Sequence, residues 1–85
     1  MFIGTRLEAL TALSYYTKIE SIITEKDSFI AKSNFSNKHN YFLMNDFSKE
    51  DLFKKIFHTQ VDIVLSSGFK FIIPKSKISK DKIYI

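Results

Sequence analysis

The sequence predicts an α/β domain: an open parallel sheet of about four to five strands with two to three flanking helices. Three observations carry that prediction. Short apolar runs alternate with segments of helical periodicity. Two segments open with helix start signals, Thr5-x-x-Glu8 and Ser48-x-x-Asp51. The run "VDIVL", Val61–Leu65, holds a single polar residue, as a strand covered on both faces does.

The elements follow in order. "MFIG" (Met1–Gly4) is a short apolar strand ending in a glycine turn. In "TRLE", Thr5 is placed to accept from the backbone of Glu8, and Glu8 to reach back to Thr5. Leu7, Leu10 and Leu13, with Ala9 and Ala12 between them, continue a helix to about Tyr16. "KIESIIT" (Lys18–Thr24) is rich in β-branched residues and reads as a second strand. Glu25–Asn40 mixes charge, Ser and Asn with isolated Phe29, Ile30 and Phe35, so it reads mostly as loop. "YFLM" (Tyr41–Met44) is a third strand. Ser48 then caps a helix whose Leu52, Phe53, Ile56 and Phe57 share one face and which ends near Thr59. "VDIVL" is the fourth strand and "KIYI" (Lys82–Ile85) the fifth, with a short helical or irregular segment between them. Strands alternating with helices imply right-handed crossovers. A domain rarely finishes on an uncapped aliphatic strand, and the first strand is short for a central one. The expectation is a single partial domain over residues 1–85, clipped at its carboxyl end.

Composition narrows the function classes. The chain has 85 residues, 45% hydrophobic and 26% charged, which is the balance of a folded domain. It has no cysteine, so disulfides, thiolate catalysis and cysteine metal sites are out. No apolar run approaches the ~20 residues of a membrane span, and "MFIGTRLEAL" lacks the pattern of a signal peptide. These features point to the cytoplasm and to no membrane partner. The net charge of +4 suits an anionic partner such as a nucleotide, RNA or a polyglutamylated cofactor. Compositional bias toward Lys, Ile, Asn and Phe accounts for the same charge. Of thirteen basic residues only Arg6 is Arg, poor equipment for reading bases, and DNA is not an expected partner.

Few residues offer catalytic chemistry. His39 lies in a polar loop and His58 near a helix end, where the dipole alone accounts for it. Neither has a partner at ligand spacing. Glu50 and Asp51 fall in a first helical turn, Asp62 begins a strand, and Asp27 and Asp46 suit turns. Gly4 stands alone after the first strand, so there is neither a G-x-G-x-x-G nor a Walker A pattern. A phosphate on the amides of Thr5 and Arg6 competes with a plain strand-to-helix turn.

The unusual stretch is "SSGFKFIIP", which opens a strand onto apolar residues where a turn through water is expected. In open parallel sheets ligands bind beyond the carboxyl ends of the strands, where the strand order reverses. Gly68 permits a positive φ or a close approach. Phe69, Phe71, Ile72 and Ile73 either wall a flat slot or plug the sheet against a helix.

"VDIVLSSGFKFIIP" followed by "KIYI" resembles the folate-dependent formyltransferase family. That family includes the methionyl-tRNA, glycinamide ribonucleotide and sugar-nucleotide amine formyltransferases. "FIGTRLEALTAL…IESIIT" resembles the family's first β-α-β unit. The resemblance spans nearly the whole chain, is most specific at Gly68–Pro74 and is weak over Asp27–Asn40. It implies a Rossmann-like fold and 10-formyltetrahydrofolate as cofactor. Gly68, Phe69, Phe71, Ile72 and Ile73 would then border the pterin, and Gly4, Thr5 and Arg6 a substrate-side turn. The formyl acceptor would be an amine, on a sugar nucleotide or an aminoacyl-tRNA. Arg6 stands where the methionyl-tRNA branch has Pro, which leans toward sugar amines. The family's catalytic Asn and His follow the strand that "KIYI" resembles, and its Asp comes later. None has a counterpart here, so Met1–Ile85 is expected to be inactive alone. The alternative reading is a small, basic, non-catalytic α/β module for RNA or a protein partner.

Overall fold

The computed structural model describes residues 1–37, 40–71 and 82–85. Strands β1 (Phe2–Gly4), β2 (Ser21–Thr24), β3 (Asn40–Leu43), β4 (Ile63–Ser67) and β5 (Ile83–Tyr84) form one sheet in the order β3-β2-β1-β4-β5. Every pairing is parallel. This is the open, Rossmann-like parallel sheet that the alternation of elements predicts. Helices α1 (Leu7–Tyr16) and α2 (Lys49–His58) cover opposite faces.

The side-chain period of two along each strand divides the core into two layers. Ile3, Ile23 and Val64 point to one face and pack with Leu52 and Ile56 of α2. Phe2 and Ile22 point to the other and pack with Leu10 of α1, with Leu65 at their margin. Burying each such side chain stabilises the fold by about 1.5–3 kcal/mol. Ile30, which sequence alone leaves in a loop, is buried in the α1 layer, where Phe35 and Tyr41 pack against it. The Glu25–Asn37 stretch is therefore compact, with side-chain bonds such as Thr24 Oγ1 to Ser28 Oγ at 2.8 Å and a 3-10 turn at Asn34–Asn37.

Three expectations need correction. The fourth strand runs Ile63–Ser67, two residues later than Val61–Leu65. After α2 the chain first makes a tight turn, with the Val61 amide on the Thr59 carbonyl at 3.0 Å. Ser66 and Ser67 then pair with Ile3 and Gly4. The second strand begins at Ser21, not Lys18. The fourth strand is not covered on both faces either: Val64 is buried, but Ile63 is 41% exposed, and Ile83 of β5 is 59% exposed. On the α2 side the same two strands are well covered. Tyr84 packs near Phe57, ring centroids 6.4 Å apart. Lys82 Nζ donates to the Phe57 and Ile56 carbonyls at 2.8 and 3.3 Å, satisfying the carboxyl end of α2.

Candidate functional site

The chain leaves β1 toward β2 and reaches β4 on the opposite side of β1, so the strand order reverses between β1 and β4. Their carboxyl ends are the place where such a sheet opens a crevice. The two exits interlock through backbone. Gly4 has φ +142°, and a Cβ there would lie 1.8 Å from the Ser67 carbonyl oxygen. The Thr5 amide donates to that same oxygen at 3.0 Å and the Arg6 amide at 3.4 Å. Gly68 has φ +75°, and a Cβ on it would meet Thr5 Oγ1 at 2.6 Å and Arg6 Cγ at 3.2 Å. Thr5 Oγ1 donates to the Gly68 carbonyl at 3.3 Å.

These contacts revise two readings. The Thr5–Glu8 capping box does not form: α1 is capped at Arg6 with no side-chain bond, and the Thr5 hydroxyl is spent on Gly68. The Thr5 and Arg6 amides are likewise committed to Ser67, which leaves the plain strand-to-helix turn in place of an amide-held phosphate. Gly68 lacks a side chain because the β1–α1 turn occupies that space. The second start signal behaves as its sequence predicts, with Ser48 Oγ accepting from the Asp51 amide at 3.1 Å.

Beyond Gly68 the chain turns along α2. Phe69 and Phe71 are half-buried and meet edge to face, centroids 5.8 Å apart. Phe71 lies 6.1 Å from Phe53, which stacks on Phe57 at 5.9 Å. The rings thus extend the α2-side core. Their backbone is different: among the described residues the amides of Phe69, Lys70 and Phe71 have no hydrogen-bond acceptor. The plug and the slot divide by atom: the rings are packed, while these amides meet no acceptor among the described residues. Ile72 and Ile73, the other two expected pterin-side residues, lie outside the described residues, as do Pro74 and His39.

Charged side chains gather around this turn. Lys70 Nζ is 5.2 Å from the Phe71 ring centre and 3.5 Å from Glu25 Oε1. Lys49 Nζ is 5.1 Å from the same ring and 6.0 Å from that of Phe53. Glu25 directly follows β2, so its bond to Lys70 spans the exit of β1. At the next exit the Lys26 amide donates to Asn45 Oδ1 at 3.0 Å. An open surface on one face of α2, bearing Lys49, Phe53, Phe57 and His58, adjoins this turn. Sequence reasoning missed Lys49, Lys70 and Glu25. Lys70 was visible between the two phenylalanines, but nothing in the order of residues brings Glu25 or Lys49 to it.

Catalytic and metal candidates stay dispersed. His58 is exposed in the last turn of α2, where it complements the helix dipole. Glu50 pairs with Lys54 at 3.6 Å. No three metal-ligating side chains converge among the described residues. Two groups that burial displaces stand away from the crevice. Burial lowers the Met1 amine below its ordinary 8.0, with Glu20 opposing, and burial raises Tyr41 above 10.0. No helix among the described residues is long and apolar enough to cross a membrane. Compared with known protein families, with curated proteins and with solved structures, the chain finds no match.

Proposed function

We propose that the chain is the cofactor-binding, amino-terminal part of a formyltransferase that uses 10-formyltetrahydrofolate. The observation that carries this reading is the run of amides from Phe69 to Phe71 that have no acceptor among the described residues, beside the point where strand order reverses. A pterin presents alternating donors and acceptors along one edge. Main-chain groups held by packed rings suit it, because the backbone is fixed before the ligand arrives. Phe69 and Phe71 supply that fixation and an apolar wall. The sequence resemblance supplies the reaction class.

The fit is with a bound heteroaromatic ring and an anionic tail: apolar walls, amides with no acceptor among the described residues and two nearby ammonium groups. When bound, the cofactor supplies the formyl group that an amine acceptor takes up. The residues of this chain bind and orient it. Phe71 and Phe69 exclude water from one side of the ring, and Gly68 aims the turn across the end of β1. By the resemblance, the family's catalytic Asn, His and Asp, which stabilise an oxyanion and move protons, have no counterpart in Met1–Ile85. Transfer to a sugar-nucleotide amine or an aminoacyl-tRNA therefore needs residues from outside this stretch.

Titration with a 10-formyl-dideazafolate analogue tests the reading. Saturable one-to-one binding that Phe71→Ala weakens is the expected result. Absence of binding, together with salt-sensitive binding of single-stranded RNA, would favour the non-catalytic basic module instead.

A further inference from the structure

Two ammonium groups converge on one ring at the mouth of the proposed slot, and one of them is held only loosely. Lys49 Nζ and Lys70 Nζ stand 5.1 and 5.2 Å from the centre of Phe71. Attraction to an exposed ring is worth about 0.5–1 kcal/mol, enough to bias where a flexible stem points. It leaves the donors of each ammonium free for an anion. Lys49 has no carboxylate partner within ion-pair distance among the described residues, and neighbouring Glu50 is turned to Lys54. Lys70 rests on Glu25 at 3.5 Å, with both side chains substantially exposed. Such a pair contributes about 0.2–1 kcal/mol and exchanges partners readily.

We propose that Lys49 and Lys70 form the anion-holding end of the cofactor slot and take the carboxylates of a glutamyl tail. With the slot empty, Glu25 holds the place of the ligand carboxylate. This rests on the folate reading above. Lysines are point charges on long stems and do not read a planar fork as Arg does. They suit a tail whose carboxylates vary in number and position.

The test compares mono- and triglutamyl forms of one 10-formyl-dideazafolate analogue, at low and at physiological salt. The triglutamyl form should bind roughly three- to tenfold more tightly, the span of two exposed ion pairs, and the advantage should shrink with salt. Lys49→Gln with Lys70→Gln should erase the advantage while monoglutamyl binding persists. Glu25→Gln should tighten triglutamyl binding by freeing Lys70. Equal affinity for the two forms, or an advantage that survives the double variant, overturns the assignment and leaves the folate reading standing. If neither form binds, both fall together. A nucleoside diphosphate that binds better than either form, through the same lysines, would overturn the carboxylate assignment in favour of a phosphate-bearing ligand.

Discussion

At α2, Ser48 turns its hydroxyl onto the Asp51 amide and the helix starts where its own sequence says it should. At α1, Thr5 precedes Glu8 at the same spacing, yet its hydroxyl bonds the Gly68 carbonyl and the cap falls to Arg6 without a side-chain bond. The local signals are alike; the surroundings differ. Ser48 is exposed and follows a 3-10 turn, and among the described residues its hydroxyl bonds only the Asp51 amide. Thr5 lies against the exit of β4, sixty-three residues away along the chain. A capping bond and a long-range bond are worth similar amounts, about 1 kcal/mol each. Backbone geometry decides between them, because the Thr5 amide is already drawn to Ser67. The helix start that departs from its local signal is the one set against the exit of β4.

Substitutions can break this contrast, and the largest effect belongs to Gly4. Its φ of +142° and the 1.8 Å approach to the Ser67 oxygen leave no room for a methyl group. Gly4→Ala should cost about 3 kcal/mol or more, through strain and loss of the β1–β4 contact, read as a large fall in the urea midpoint. Gly68→Ala comes next, at about 1–3 kcal/mol. Thr5 can move away from the added methyl, but the positive φ stays costly. It should also weaken ligand binding by turning the Phe69–Phe71 amides. Ser48→Ala should cost about 1 kcal/mol, and Ser48→Gly only a few tenths. Thr5→Ala should cost about 0.5 kcal/mol and act at a distance: amide exchange should quicken at Gly68, with the first turn of α1 unchanged. Glu8→Gln should cost a few tenths of a kcal/mol, the dipole contribution alone. A loss at Glu8 as large as that at Ser48 would mean that the capping box forms after all.

What could be read from the sequence follows the same division. Alternation of apolar runs with helical periods was enough for the sheet and both helices, since burial of Phe2, Ile3, Ile22 and Ile23 follows from local pattern. Strand limits were less legible. Ser66 and Ser67 look like turn residues until β1 offers them partners. The site was legible in its aromatic half, because Gly68, Phe69 and Phe71 are neighbours in sequence. Its charged half was not, because Glu25, Lys49 and Lys70 come from three separate loops and helix ends that only the strand order assembles. Ile63 was expected to be covered and is not, because the α1-side cluster centres on β1 and β2.

The central proposal is that the amides of Phe69–Phe71 hold a pterin edge at the exits of β1 and β4. Amide correlation spectra of the chain, recorded during titration with the monoglutamyl dideazafolate analogue, test it most directly. The account predicts saturable shifts concentrated at Gly68–Phe71 and reaching Thr5 through the Gly68 carbonyl. Spectra that do not change, or shifts confined to the outer face of α2 around Lys54 and His58, would contradict it.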